Sequence, residues 1–212
     1  MDGHPIFARF YDRITAGTER AGLGEMREDL LSSASGRTLE LGAGTGRNLE
    51  HYTDAVTELV MSEPDPHMAA RLREKLATEG TRAGNPSVIE APAEELPFDD
   101  GSFDTVVATL VLCTVERPDR AVSEARRILV EGGKLLFIEH VRSSSHRLAR
   151  WQDRLERPWG LFAGGCHPNR PTEQLLAGAG LWIDNLDRTK LPKAPPIVRP
   201  LIRGEARRPT SA

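Results

Sequence analysis

The stretch TLELGAGTGRNLEHY, Thr38 to Tyr52, decides how the chain is read. An apolar run leads into three glycines spaced two apart, Gly42, Gly44 and Gly46, and a helix-like run leads out. A bare backbone directly behind a strand suits a nucleotide ligand, and the first candidate is a nicotinamide dinucleotide. In that fingerprint the third glycine falls three residues after the second, where it lets the helix approach the pyrophosphate. Counted from Gly42 and Gly44, that position is Arg47; counted from Gly44 and Gly46, it is Leu49. The fingerprint fails both ways. The loop is G-x-G-x-G with Glu40 ahead of it, a cradle for a flat or zwitterionic group that needs no pyrophosphate seat. Alternatively it is only a tight turn. A ribose-binding acid should close the second strand, and Glu63, ending ELVMSE, stands there.

Outward from this loop the pattern repeats. Strands are expected in RTLELG, ELVMSE, PSVIEA, GSFDTVVATLVLC and KLLFIEH. Helices are expected over Arg47 to Tyr52, Met68 to Leu76 and Asp119 to Leu129, and EGG reads as a tight turn before the fifth strand. Alternation at this spacing means a parallel sheet with helices on both faces. Upstream, Ile6, Phe7, Phe10, Ile14, Leu23, Met26, Leu30 and Leu31 recur at helical intervals and predict two short helices. Downstream, the polar-aromatic segment from Ser143 reads as an inserted helix and loop. Gln174 to Ala179 is a last helix, and LWIDNLDRTKL and VRPLIRGEA form a closing antiparallel hairpin. The expectation is an α/β, Rossmann-like sheet of seven strands, mostly parallel with an antiparallel last strand. It forms one domain over 1–212: an N-terminal helical lid (1–35), a cofactor-binding core (36–142), an acceptor-site insertion (143–171), and the last helix and hairpin (172–212).

Composition excludes several classes. The chain has 212 residues, 28% charged and 39% hydrophobic, enough for one good core. A net charge of -3 gives no argument for nucleic acid or an anionic membrane as partner. No apolar run approaches the roughly 20 residues of a membrane span. The start lacks the layout of a signal peptide, and a cytoplasmic location is expected. Cys113 and Cys166 are the only cysteines, without framework spacing, so reduced thiols are expected. With nearby histidines they form no zinc spacing, and no metal is expected.

The motifs LELGAGTG (39–46), SEPDP (62–66), APAEELPFDDGSFDTVVATLVL (91–112) and EARRILVEGGKLLFIEHVR (124–142) come in the order of the class I S-adenosylmethionine-dependent methyltransferases, which the chain resembles over about half its length. TLVLCTV, FIEHVRS, WQDRLERPWGLFAGGCHPNR and VRPLIRGEA are further similar to the methyltransferase-like subfamily that includes thiol methyltransferases. The resemblance implies S-adenosyl-L-methionine as cofactor and S-adenosyl-L-homocysteine as product. It places Glu40, Gly42, Ala43, Gly44, Gly46 and Asn48 at the methionine end and Glu63 with Pro64 at the ribose. Ala93 and Glu94 fall at the adenine, and Thr109 and Leu110 beneath the sulfonium. One departure is Pro92, which stands where many relatives carry an acid for the adenine amino group.

The implied acceptor is a small molecule, with a thiol favoured because its thiolate is a strong nucleophile near neutral pH. An oxygen, nitrogen or carbon centre of a quinone, lipid or natural-product scaffold is the rival within the class. A non-catalytic cofactor binder is the rival outside it. His140, closing strand five, is the candidate general base, or else a histidine bonded to the strand-end backbone. Trp151, Trp159, Leu161 and Phe162, with Cys113, His140 and His167, are candidate acceptor-site residues, and Phe10 and Tyr11 a candidate lid. Arg142, Arg150, Arg154 and Arg157 read as a solvated helix face or, turned inward, as a bias toward an acidic acceptor.

Overall fold

The computed structural model describes residues 12–13 and 15–210; Phe10 and Tyr11 lie outside them. Seven strands form a single sheet: β1 (Gly36–Leu41), β2 (Val56–Ser62), β3 (Ser87–Ile89), β4 (Phe103–Thr109), β5 (Leu129–His140), β6 (Trp182–Lys190) and β7 (Pro200–Arg207), in the order β3-β2-β1-β4-β5-β7-β6. The pairings from β3 to β5 are parallel, and β7 runs antiparallel to both β5 and β6. The expected hairpin therefore exists, but its second strand inserts beside β5 and pushes β6 to the edge.

Period-two alternation divides the core across the sheet. Leu39, Leu41, Val106, Ala108, Leu135 and Phe137 pack on one face, and Val107, Leu136 and Ile138 on the other. Helices cover both. Helix α1 (Gly24–Leu31) buries Arg27, Leu30 and Leu31. Helix α2 (Pro66–Glu79) starts where the Asp65 carboxylate accepts from the N–H groups of His67 and Met68 at 2.8 and 3.2 Å. Pro66 takes the first turn, where a missing N–H costs nothing. Helix α3 (Pro118–Ile128) buries Ala121, Ala125 and Ile128 as their spacing predicts, and Val122 besides; Leu129, expected on the same helix face, instead begins β5. Helices α4 (His146–Phe162) and α5 (Thr172–Gly178) follow.

Two local expectations are corrected. Arg47 to Tyr52 does not open an α-helix; only a three-residue 3-10 turn, Leu49–His51, forms there. Asn48 and Tyr52 are drawn instead into side-chain bonds to Glu40, which fix the chain in a tighter path. EGG is not a turn between elements. It lies inside β5 as a bulge, with Gly132 at φ 75°, and the β4 register jumps from Phe103↔Leu129 to Thr105↔Lys134 across it. The extra residues are absorbed without breaking the strand.

Connections run outward from β1 to β3, then cross back to β4 on the other side of β1. That reversal opens a crevice at the carboxyl ends of β1 and β4, where open α/β sheets take their ligands.

Candidate active site

The crevice floor is the glycine loop. Gly42, Gly44 and Gly46 all have positive φ, 54°, 58° and 79°, yet space constrains them differently. A Cβ on Gly46 would come within 2.7 Å of Leu72 and 2.8 Å of Leu49, so this glycine is required by packing. A Cβ on Gly44 would meet only the Gly42 carbonyl, at 4.0 Å. The Gly44 side of the loop is thus open, as a cradle for a ligand requires and as a merely structural turn does not.

Beneath the loop lies a buried polar network. Glu40, at 2% exposure, accepts from Asn48 Nδ2 at 3.0 Å and from the Tyr52 hydroxyl at 2.8 Å. Asn48 Nδ2 also donates to Thr109 Oγ1 at 2.9 Å, and Arg27 Nη1 donates to Asn48 Oδ1 and Thr109 Oγ1 at 2.8 and 2.9 Å. Glu19 closes the far side of Arg27 with two bonds of 3.3 Å. The ends of β1 and β4 and the N-terminal helices are thereby tied into one unit. Burial pushes the Glu40 carboxyl up to about 7 against the pull of Tyr52, Arg27 and Asn48.

Glu63 sits at the end of β2. Its Oε2 accepts from Gly44 N at 2.8 Å and its Oε1 from Asp65 N at 2.9 Å. It therefore holds the glycine loop, and each oxygen keeps a further lone pair for a ligand hydroxyl. Burial raises its pKa. Pro64 follows directly. Ala93 is buried, and Glu94 Oε1 accepts from Arg117 N at 3.2 Å, at the start of α3. Over the loop, Asp12 accepts from Thr45 Oγ1 at 2.6 Å and pairs with Arg47 Nε at 3.0 Å, fastening the N-terminal segment to the crevice rim.

The opposite wall is the turn after β4. Leu110 has φ 59°, a left-handed conformation that a branched apolar side chain adopts at a cost of order 1–3 kcal/mol. Glu139, fully buried, overdetermines it. Its Oε1 accepts from Val111 N and Leu112 N at 2.9 and 2.8 Å, and its Oε2 from Cys113 N at 3.2 Å. Burial still wins over three donors and lifts the carboxyl to about 7. His140, 7% exposed, lies against the backbone of Val198 and Pro200, and burial lowers its pKa to about 4. Its Nδ1 has no hydrogen-bond partner.

The insertion residues divide. Gln152 docks α4 onto the strand ends by donating to the carbonyls of Val141, Pro168 and Ile197 and accepting from Ser143 N. Trp159 packs inward against the core. His167 N donates to the Cys113 carbonyl at 2.7 Å, and its Nδ1 lies 2.8 Å from Glu156. The thiols of Cys113 and Cys166 are free and 3.8 Å apart. Trp151, Leu161 and Phe162, by contrast, project outward at 54%, 86% and 85% exposure. Among the described residues no group of three His, Cys, Asp or Glu gathers as a metal site, and no helix is long and apolar enough to cross a membrane.

Three residues that build the site escape the sequence reading, and two of them carry no signal in it. Arg27 looks like one more surface arginine on a helix. Tyr52 looks like a helix residue. Glu139 is the exception that could be found: a lone acid inside the apolar run FIEHV, which a strand buried on both faces admits only with partners.

Residues 39–137 match the methyltransferase domain family. The chain is 36% identical over 180 residues to the human thiol S-methyltransferase TMT1B, covering 83% of this chain and 73% of that protein. It is also 36% identical over 155 residues to the phosphatidylethanolamine N-methyltransferase of Cereibacter sphaeroides, covering 72% and 73%. A solved S-adenosylmethionine-dependent methyltransferase from Thermotoga maritima superposes with a TM-score of 0.66 at 24% identity, over 97% and 100% of the two chains, which shows the shared fold. The open glycine cradle, the acid closing β2 and the carboxyl-edge crevice fit the cofactor that these relatives imply. The chain belongs to the class I S-adenosylmethionine-dependent methyltransferases, in the group that includes the thiol S-methyltransferases.

Proposed function

We propose that this methyltransferase acts on the sulfur of a small thiol. The observation that carries the reading is the weakness of the base beside the crevice. His140, its pKa lowered to about 4 by burial, draws a proton poorly from an alcohol or phenol. A thiol supplies its own anion, being ionised to a few per cent at neutral pH. The 36% identity to a thiol S-methyltransferase supports the same choice.

Bound S-adenosylmethionine supplies an electrophilic methyl carbon on a sulfonium, open to in-line displacement. The chain's own work is to hold and align. In this reading Glu40, Asn48 and the loop of Gly42, Ala43, Gly44 and Gly46 receive the methionine end, and Glu63 and Pro64 take the ribose. Ala93 and Glu94 border the adenine, and Thr109 and Leu110 underlie the sulfonium. Glu139 freezes the 110–113 wall, so that orientation is set before the acceptor arrives; alignment of this kind contributes roughly 7–11 kcal/mol in favourable intramolecular cases. We assign the acceptor side to His140, whose buried Nδ1 is unpartnered, and to Cys113, Trp159 and His167.

The test is a mass-spectrometric methyl-transfer assay with S-adenosylmethionine across small thiols and matched alcohols, phenols and amines. Thiol-only methylation is expected. Transfer to amines with none to thiols would replace the reading by N-methylation, the activity in the name of the Cereibacter relative. Because this reading gives His140 no proton to take, His140→Ala should leave the pH profile of turnover unchanged; a loss at neutral pH that partly recovers at high pH would restore it as the general base.

A further inference from the structure

Helix α4 has two faces with different tasks. Its inner face is consumed by the fold: Ala149 and Gln152 are buried, and Gln152 makes the four bonds to the strand ends described above. Its outer face runs along positions spaced three and four apart. There Arg147, Arg150, Arg154 and Arg157 are exposed, together with Trp151, Leu161 and Phe162 at 54%, 86% and 85%. The helix's two acids do not neutralise them. Asp153 is taken by Arg142 and Asn169, and Glu156 by His167. Among the described residues no ion pair holds any of the four arginines. Arg154 stands 5.9 Å over the Trp151 ring. A chain of net charge -3 thus presents one helix face on which four arginines outnumber the acids and carry no ion pair among the described residues, with a large apolar tip at its C-terminal end.

We propose that the outer face of α4 is a docking surface for an anionic lipid bilayer. A helix lying in the membrane plane needs this combination: apolar side chains to enter the acyl boundary and arginines to meet anionic headgroups. The 17 residues of α4 give about 25 Å of contact at 1.5 Å per residue. Nucleic acid answers the arginines but takes neither Leu161 nor Phe162 out of water. A second copy of the chain would bring the same cationic face against itself, which like-charge repulsion opposes. Only an anionic, apolar-cored surface satisfies both halves of the face.

The experiment is co-sedimentation of the full chain with vesicles of phosphatidylcholine containing phosphatidylglycerol, beside pure phosphatidylcholine. Two variants are compared: Leu161→Ser with Phe162→Ser, and Arg147→Gln with Arg150→Gln and Arg154→Gln. Unchanged S-adenosylmethionine affinity by calorimetry shows that each variant is folded. The expected result is binding to the anionic vesicles, weakened by salt, and at least tenfold lower partition for either variant. Equal binding to both vesicle types, or none, overturns the proposal. So does anionic-vesicle binding that both variants retain, because docking would then lie elsewhere. Duplex DNA binding lost with the arginines and indifferent to Leu161 and Phe162, without vesicle binding, would assign the face to nucleic acid. Concentration-dependent dimers abolished by the apolar variant, without vesicle binding, would assign it to a second copy.

Discussion

Replacing Glu139 with Gln should change the pH dependence of stability more than its magnitude at any single pH. The Glu139 carboxyl is raised from an ordinary 4.5 to about 7 because burial outweighs three backbone donors. The folded protein therefore binds more protons than the unfolded chain between these values, and stability falls as pH rises through that window. A carboxyl so displaced holds its proton more tightly in the folded state by ~3 kcal/mol. Glutamine keeps one acceptor for Val111 N and Leu112 N but presents an amide donor to Cys113 N, a lost bond of about 1–3 kcal/mol. Near pH 4.5, where the glutamic acid is neutral in the folded state and only half ionised in the unfolded one, Glu139→Gln should be the less stable protein by most of that amount. By pH 8 the gap should close or reverse, having changed by ~3 kcal/mol. Glu40, raised to about 7, and His140, lowered to about 4, titrate in overlapping windows. They do so in both proteins, so the difference isolates Glu139. Urea denaturation at intervals from pH 4.5 to 8 measures it. A constant gap would refute the displaced carboxyl. A gap widening with pH would mean that the three donors outweigh burial and that the anion is the preferred form.

The other perturbations concern the loop and its supports. Glu63→Ala should weaken S-adenosylmethionine binding at least tenfold by calorimetry, since each charged hydrogen bond is worth about 1.5–3 kcal/mol and Gly44 N loses its acceptor as well; unchanged affinity removes Glu63 from the site. Gly44→Val carries left-handed strain of about 1–3 kcal/mol at φ 58° but no steric overlap, so it should fold with a modestly lowered melting temperature yet fail to bind cofactor. Gly46→Val should lower the melting temperature sharply, because Leu49 and Leu72 occupy the space; the reverse ranking would mean that the loop is only a turn. Arg27→Met should cost about 3–5 kcal/mol in chemical denaturation, leaving the half-buried Glu19 without its cation and Asn48 Oδ1 and Thr109 Oγ1 without this donor. A loss below 1 kcal/mol would show that the network does not tie the N-terminal helices to the crevice.

The sequence by itself determined what is local and periodic. Alternating apolar runs gave the strands, three glycines two apart ruled out the pyrophosphate turn, and an acid ended the second strand, where its carboxylate holds the glycine loop. Each signal sits within a few residues of the structure it specifies. Interactions distant along the chain were decided by tertiary structure. Arg27 reaches Thr109 across 82 positions, and no local pattern separates it from a solvated arginine. Tyr52 was read as helical because its bond to Glu40, which pulls it from that path, exists only after β1 is placed. The glycine pair in EGG became a bulge because β4 runs alongside. The arginines of α4 were read as solvated or inward-turned. They face outward because Gln152 takes the other side of the helix, and they form a cationic field because partners elsewhere remove Asp153 and Glu156. Net charge sums over the whole chain and keeps no record of direction. Only the packed helix sorts those charges onto one side, and that sorting separates a bland composition from a surface with a partner.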